Sequence, residues 1–361
     1  MASSFTVPTQ QHMANDIKHV QNKHNLSPEQ TSQLTLMLEQ IDPTLILGWT
    51  TTHDTPAFLC QRFLRARDFN IPKAIIMLEE DIQWREEYGI KQLRQQKLAD
   101  FCDVNPQKLK KLLPIVVEGM DSMNRPVIYK SFGASCRISD ILQITTQETL
   151  IRYHIWQNEL ALMKCEELSR QKNSNIEQWQ IVIDAFGWHL GLANSQSMQF
   201  LKAIAKIDSD HYPERLGRLT VVNAPWTLSS VWTVIRLWLD DRQKKKIAIF
   251  SWQSSWEPYL KGIATTTDAK DMDASVAVAK GGIPNDQLLV RFGGLNPSDF
   301  VVAGNSGGSK KVKDVKKVVQ VETKETVKET VVDVEQKVVA KTVVRIEDVE
   351  VDHEGMKTLS I

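Results

Sequence analysis

The side chains best suited to catalysis do not form a coherent group along this chain. Residues 304–308 (GNSGG) match the GxSxG pattern of a nucleophilic serine, here Ser306. Such a serine needs a strand before it and a helix after it, whereas this one stands in a Gly/Ser-rich linker. His189 follows Asp184 by five residues, and a lone histidine after a strand is more often a loop residue than a general base. We therefore predict that the protein is not an enzyme.

Metal, redox and nucleotide chemistry also lack their usual motifs. The sequence contains no P-loop and no GxGxxG, HExxH or EF-hand pattern. Its cysteines form no CxxC pair, so we expect four reduced thiols: Cys60, Cys102, Cys136 and Cys165. We expect no cofactor and no metal ion.

The charge balance argues against a nucleic-acid-binding protein. The 361 residues include 44 basic and 44 acidic side chains, whereas binding to a phosphate backbone normally needs a basic excess. The N-terminal residues lack the basic and apolar regions of a secretory signal. The longest uncharged run, residues 219–235, is too short and too polar to span a membrane. We therefore expect a cytoplasmic protein.

The first third of the chain is predicted to be helical after a flexible N-terminal arm. Residues 1–26 are polar and lack a periodic apolar face, so we expect them to be the arm. Ser27 followed by Pro28 is a typical helix start, and apolar residues then recur at helical spacing. We assign residues 27–110 to a helical N-terminal lobe. The acidic residues 79–81 (EED) are predicted to face water.

The middle of the chain alternates between strands and helices. Short β-branched and aromatic runs predict four strands, at residues 125–132, 179–186, 219–224 and 246–252. Segments of helical length lie between them, at residues 138–171, 194–210 and 226–241. This alternation predicts an α/β domain over residues 111–300, with a mostly parallel sheet and right-handed crossovers.

The C-terminal residues differ from the rest in composition. No aromatic residue follows Phe300, and residues 304–309 (GNSGGS) read as a flexible linker. Residues 301–361 form a tail rich in Val, Lys and Glu, which we expect to be disordered or conditionally helical. Residues 305–361 could recruit a protein partner.

One segment is too apolar for an ordinary surface helix. Residues 226–239 (WTLSSVWTVIRLWL) carry large apolar side chains on almost every face. They could form a fully buried crossover helix. Alternatively, one face lines a cavity while another touches a membrane, where tryptophan is favoured. The residues assigned to this pocket and gate are Trp226, Val231, Trp232, Ile235, Leu237, Trp238 and Leu239.

A basic cluster follows this segment. Arg242, Lys244 and Lys245 directly precede Lys246, and together they could attract an anionic lipid surface. The alternative is that they are solvated charges at the end of a helix.

Four segments resemble the CRAL-TRIO lipid-binding family, in order and at suitable spacing. They are residues 58–90, residues 125–129 (RPVIY), residues 212–240 and residues 283–294, and together they extend over about residues 55–295. The resemblance implies a CRAL-TRIO fold, in which a helical lobe and a mostly parallel sheet enclose an apolar pocket for one lipid. It also implies that residues 226–239 are a movable gate helix.

The resemblance further implies a function and a headgroup site. The function is binding of one lipid, phosphatidylinositol or phosphatidylcholine, and its transfer between membranes by a protein that associates transiently with the membrane surface. Glu214 and Lys246 match family positions that help to form the inositol site, and Arg67 could face the same site. Charged groups form strong hydrogen bonds to hydroxyls when water is excluded. The alternative for Glu214 and Lys246 is a purely structural ion pair.

The sequence departs from the family at the lipid phosphate. A Ser-x-Thr pair that contacts the phosphate in the family corresponds here to Trp179 and Ile181, and neither can donate a hydroxyl. Asp68 and Gln243 also replace a family lysine and threonine. An apolar ligand such as a sterol, tocopherol or retinoid is therefore an alternative cargo. A lipid-sensing adaptor that acts through the tail is an alternative function.

Overall fold

The structure is a computed structural model that describes residues 10–133, 136–254, 256–262 and 281–297. The chain divides into two units, residues 1–305 and residues 306–361. The second unit, the predicted tail at 301–361 and Ser306 all lie outside the described residues.

The N-terminal part consists of helices whose starts are set by local capping residues. The helices are α1 (Gln10–His24), α2 (Pro28–Gln40), α3 (Pro43–Leu47), α4 (Pro56–Ala66), α5 (Ile71–Glu87), α6 (Ile90–Leu93), α7 (Leu98–Phe101) and α8 (Pro106–Leu112). Ser27 caps α2 as predicted, because its side chain accepts a hydrogen bond from the Gln30 backbone. Phe58 and Phe63 of α4 are buried at the centre of the lobe.

Two predictions for this lobe are wrong. The flexible arm predicted over residues 1–26 contains α1, whose Val20 is fully buried and whose end pairs with Glu177 through His24 at 3.0 Å. Tertiary contacts stabilise this helix rather than a strong apolar stripe of its own. Asp81, predicted to face water, is 4% exposed because it pairs with Arg85, 3.0 Å away on the same helix.

Five strands form one sheet with the order β1-β2-β3-β4-β5. They are β1 (Ile115–Met120), β2 (Pro126–Ser131), β3 (Trp179–Asp184), β4 (Leu216–Ala224) and β5 (Ile247–Ser251). β2 to β5 are parallel, as predicted. β1 pairs antiparallel with β2 and was not predicted, because a register shift between Val117 and Met120 interrupts its alternation.

The remaining helices connect the strands or follow the sheet. They are α9 (Ile138–Ile141), α10 (Gln147–Lys172), α11 (Ser195–His211), α12 (Leu228–Ile235), α13 (Asp241–Lys244) and α14 (Glu257–Leu260). The two faces of the sheet differ. Val182 and Val222 pack on one face against Ile283 and Leu288 of residues 281–297, which we call the C-terminal segment. The opposite face contacts α10, α11 and α12.

The crossover between β4 and β5 is not the single helix predicted over residues 226–241. It consists of α12, a 3-10 turn at Arg236–Trp238, and α13. Leu239 has an extended backbone, and the Asp240 side chain caps α13 by accepting from the Gln243 backbone at 2.7 Å. We call residues 225–246 the gate segment. The fully buried alternative is also wrong, because Trp226 and Leu237 are 67% and 75% exposed.

Candidate functional site

An apolar cavity of about 290 Å³ lies between the sheet, α11 and the gate segment. The apolar part of its floor is formed by alternate residues of three strands: Ile181 and Ile183 of β3, Leu219 and Val221 of β4, and Ile247 and Ile249 of β5. Phe200 and Ile204 of α11 contribute to its wall. An apolar cavity of about 150 Å³ is large enough to bind benzene, so this cavity has room for a longer hydrocarbon. The interior is therefore hollow on the scale of a lipid chain.

The gate segment presents different residues to the cavity and to the outside. The apolar residues of the segment that line the cavity are Leu228, Val231, Trp232, Ile235, Trp238 and Leu239, and the polar residues Asp240, Gln243 and Lys246 line it as well. Trp226 and Leu237 do not line the cavity and are largely exposed. The predicted gate residues therefore divide into five that contact the cavity and two that face outward. Parallel strands require the crossover to traverse the sheet, which explains why this segment covers the cavity.

A cluster of charges lies at one corner of the cavity, around Glu214. The Glu214 carboxylate is 3.0 Å from the Lys246 ammonium and 3.5 Å from the guanidinium groups of both Arg65 and Arg242. Its side chain is 7% exposed. Burial alone would raise the pKa of Glu214, but the charges of Lys246 and Arg65 outweigh burial and lower it. Three cations around one carboxylate leave an excess of positive charge.

The backbone of Glu214 holds this carboxylate in an unusual conformation. Glu214 has φ of 58°, in the left-handed region that non-glycine residues rarely adopt. The residue lies between α11 and β4, and Lys246 directly precedes β5. Since β4 and β5 are parallel neighbours, their N-terminal ends bring Glu214 and Lys246 together. Strained residues of this kind are concentrated at functional sites.

The other predicted basic residues occupy different positions. Arg67 lines the cavity, but its guanidinium donates to the Ala66 carbonyl at 3.1 Å rather than to Glu214. Arg242, assigned to the membrane-facing group, instead joins the Glu214 cluster and donates to Asp68 at 3.1 Å. Lys244 pairs with Asp241 at 2.9 Å, and Lys245 is exposed.

Sequence reasoning missed two cationic residues near the cavity. Arg65 lies in the last turn of α4, two residues before Arg67, and its position beside that residue was the available signal. Lys130 lines the cavity from β2, the second strand of the sheet. A lysine inside an otherwise apolar strand was the signal for that residue, because lysine is rarely buried without a partner.

Trp179 and Ile181 both lie at the cavity, where the sequence departs from the Ser-x-Thr pattern. Both are at least nine-tenths buried. They add apolar surface and no hydroxyl, and the indole N–H of Trp179 is the polar side-chain group that the pair retains.

The described residues contain no group of three His, Cys, Asp or Glu side chains placed to hold a metal ion. Over the same part of the chain, no helix combines the length and the hydropathy needed to cross a bilayer. The four cysteines are free thiols, and burial raises the pKa of Cys60, Cys136 and Cys165 to about 12 in each case.

Comparison with known families finds two matches along the chain. Residues 110–263 match the family described as the CRAL/TRIO domain, and residues 30–80 match the CRAL/TRIO N-terminal domain. Together the two matches include α2, α4 and all strands of the sheet.

Three curated relatives are identical to this chain at about one third of the aligned residues. The SEC14 cytosolic factor of Yarrowia lipolytica is 34% identical over 227 residues, which are 63% of this chain and 44% of that protein. The Sec14 cytosolic factor of Schizosaccharomyces pombe is 32% identical over 205 residues, 56% of this chain and 68% of that protein. Phosphatidylinositol/phosphatidylcholine transfer protein SFH7 of Arabidopsis thaliana is 30% identical over 200 residues, 55% and 35% respectively. The chain thus spans less than half of the first and third of these relatives.

A solved structure has a similar fold. The crystal structure of Sfh5 superposes with a TM-score of 0.55 and 15% sequence identity, covering 82% of this chain and 97% of that chain. At this identity the likeness concerns the fold alone. It agrees with the predicted α/β fold.

Proposed function

Because this chain belongs to the CRAL/TRIO domain family, we propose that it binds one lipid in the cavity and transfers it between membranes. The observation that carries the proposal is the apolar cavity of about 290 Å³ beneath the gate segment. One relative bears the name of a phosphatidylinositol/phosphatidylcholine transfer protein, and these two lipids are the proposed cargo. No step of this function needs a catalytic residue or a cofactor.

The energetics require exchange at a membrane rather than through water. Two acyl chains of about 30 methylenes, at about 0.8 kcal/mol each, are stabilised by roughly 25 kcal/mol against water. Escape of the lipid into water is therefore negligible. Movement from an apolar cavity into a bilayer largely cancels this term, so the gate segment must open while the protein is docked on a membrane.

Exposed aromatic residues at one edge of the sheet supply a surface for docking. Phe186, Trp226 and Trp252 follow the C-terminal ends of β3, β4 and β5 and are 51%, 67% and 52% exposed. Because these strands are parallel, their C-terminal ends meet at the same edge. Tryptophan is favoured at the membrane interface. This edge, which includes the start of the gate segment, is the part that contacts the bilayer in a peripheral, transient association from the cytoplasm.

The Glu214 cluster suits the headgroup of phosphatidylinositol. Arg65, Arg242 and Lys246 outnumber the Glu214 carboxylate and the Asp68 carboxylate that Arg242 also contacts, so the corner complements a phosphate. The carboxylate accepts hydrogen bonds from hydroxyls, and charge-assisted hydrogen bonds are strong where water is excluded. Arg67, which also lines the cavity, contributes further positive charge.

The cargo can be tested on the full chain, purified gently and analysed by native mass spectrometry and by vesicle transfer of labelled lipids. We expect a lipid-sized adduct and transfer of both phospholipids. Lys246→Met should lower phosphatidylinositol transfer by at least about tenfold and leave phosphatidylcholine transfer near the wild-type rate. Lys245→Met, which alters the exposed neighbour, is the matched control. Recovery without any lipid adduct, together with no transfer, would contradict the proposal.

Docking is tested separately by co-sedimentation with vesicles. Trp226→Ala, which removes the indole, should weaken vesicle binding about 10- to 100-fold, because the burial of one large apolar side chain is lost. Lipid already in the cavity should remain, because Trp226 does not line the cavity. Ile76→Ala, at a 54% exposed position on α5, is the control. Equal vesicle binding by both variants would exclude this edge as the docking surface.

A further inference from the structure

Lys130 is a buried cation in the floor of the cavity. It lies on β2 between Tyr129 and Ser131, borders the cavity and is 4% exposed. Among the residues that the structure describes, none offers an acceptor within hydrogen-bonding distance of its Nζ. Burial lowers the pKa of Lys130, and Asp208 opposes this effect. An ammonium in such surroundings is unfavourable unless something in the cavity accepts its hydrogen bonds.

Asp208 borders the same part of the cavity from α11 and is held in place by other residues. Its Oδ1 accepts from His154 Nε2 and from Asn158 Nδ2, each at 2.7 Å. Both donors belong to α10 and also line the cavity. The Asp208 side chain is 42% accessible, and no hydrogen bond to its Oδ2 occurs within the described ranges. The Lys130 Nζ and the Asp208 carboxylate are more than 4.0 Å apart.

A free donor and a free acceptor therefore face one apolar space, with a gap between them. A hydroxyl group satisfies both, because it accepts from Lys130 and donates to Asp208. It also adds no charge to a pair whose charges already balance. An anionic group would instead add an unbalanced negative charge beside Asp208 in a site of low dielectric, which is costly. The arrangement thus favours a neutral lipid alcohol over a carboxylate or phosphate.

This site is separate from the Glu214 cluster. Lys130 is in register with Ile183, Val221 and Ile249 across the sheet. Lys246 therefore lies three strands across and three residues along, about 17 Å away by backbone spacing. An elongated hydrocarbon with one hydroxyl can place that hydroxyl at Lys130 and extend its apolar body beneath the gate segment.

We propose that Lys130 and Asp208 form a second polar subsite in the cavity, which binds the hydroxyl group of a neutral lipid alcohol such as a sterol. The proposal rests on the proposed function in one respect, since it requires the cavity to hold a lipid. It extends that function to a second ligand class. His154 and Asn158 are positioning residues, because they orient Asp208.

The test is a binding titration of the full chain with dehydroergosterol, monitored by energy transfer from the tryptophans. Four of them line the cavity: Trp179, Trp188, Trp232 and Trp238. Cholesterol should compete, and cholesteryl methyl ether, which cannot donate to Asp208, should compete about 10- to 100-fold more weakly. Oleyl alcohol is included to separate a sterol from a straight-chain alcohol. If both alcohols compete, the hydroxyl defines the site, and if only cholesterol does, the ring system contributes.

Lys130→Met gives the matching change in the protein. Sterol affinity should fall about 10- to 100-fold, while the melting temperature of the lipid-free protein should be unchanged or raised, because an unpaired buried charge has been removed. Lys245→Met, at an exposed position that does not line the cavity, is the control and should leave sterol affinity unchanged. Equal competition by the methyl ether, or unchanged affinity of Lys130→Met, would overturn the subsite.

Phospholipid adducts measured on the same preparation separate the two proposals. Phospholipid binding without any sterol binding would overturn the subsite and leave the transfer function standing. The absence of every lipid would overturn both.

Discussion

Partly filling the cavity from its floor should strongly weaken lipid binding without unfolding the protein. Val221 and Val222 are consecutive residues of β4 on opposite faces of the sheet. Val221 borders the cavity, whereas Val222 is fully buried against the C-terminal segment. The same substitution to phenylalanine at both positions therefore places four additional carbon atoms either in empty space or in a packed core.

The expected effects follow from the different surroundings. In Val221→Phe the ring occupies space equivalent to about four methylenes of the ligand, which at about 0.8 kcal/mol each corresponds to about 3 kcal/mol of lost transfer free energy. Lipid affinity should fall about 100- to 200-fold. In Val222→Phe the overpacked core should lose about 1–3 kcal/mol of unfolding free energy.

Two assays separate these outcomes. Partition of a fluorescent phospholipid from donor vesicles measures lipid affinity, and denaturant unfolding of lipid-free protein measures stability. Val221→Phe should retain its stability and lose lipid, while Val222→Phe should lose stability. If Val221→Phe unfolds as readily as Val222→Phe and still takes up lipid at the wild-type level, the space beneath the gate segment is not where the lipid binds.

Two further predictions concern stability and reactivity. Burial would raise the pKa of Glu177, but the hydrogen bond from His24 and the charge of Arg62 outweigh burial and hold this pKa well below its usual value. The ionised Glu177 therefore stabilises the fold fully above about pH 4.3, and this stabilisation is lost as the pH falls further. Glu177→Gln should therefore lose about 3–5 kcal/mol of unfolding free energy at pH 7, and the difference from wild type in urea titrations should shrink as the pH falls below about 4; a difference independent of pH would contradict the ionised pair. Because burial raises the pKa of Cys60, Cys136 and Cys165 to about 12, half-buried Cys102 should be the first thiol to react with a disulfide reagent at pH 8. Rapid labelling of all four thiols in the native protein would show that these sites open to solvent.

Local signals explain why much of the fold could be predicted. Ser27 and Pro28 specify a helix start by themselves. Parallel strands that are buried on both faces consist of β-branched runs, which are recognisable in the sequence. The outline of the gate segment was also predictable, because its apolar residues exceed what one buried face requires. Its break at Leu239 was not, since that depends on capping by Asp240.

Features that depend on distant partners could not be predicted. α1 is stabilised by contacts such as that between His24 and Glu177, which are more than 150 positions apart. The sequence predicted that Arg242 is a basic residue facing the membrane, whereas in the fold it lies beside Glu214. Lys130 could be noticed as unusual, but its relation to Asp208 depends on how α11 packs on the sheet. The contacts of charged residues depend on their tertiary neighbours, whereas apolar periodicity can be recognised in the sequence itself.

The anchoring of the gate segment explains why a bilayer, rather than water, favours opening. At its start, Asn223 donates to Asp184 at 2.9 Å and accepts from Trp256 at 3.2 Å. Near its far end, Arg242 forms ion pairs with Asp68 and Glu214. Between these anchors α12 is held mainly by apolar contacts of side chains such as Trp232.

Moving α12 away from the sheet in water therefore exposes Val231 and Trp232, each 8% exposed when closed. At about 1.5–3 kcal/mol for each large apolar side chain, the open state in water is unfavourable by several kcal/mol, before the exposed cavity floor is considered. In contact with hydrocarbon the same side chains lose little, because they exchange one apolar environment for another. The membrane thus removes most of the free-energy cost that keeps the cavity closed in solution, and the polar anchors at both ends can remain intact while α12 moves.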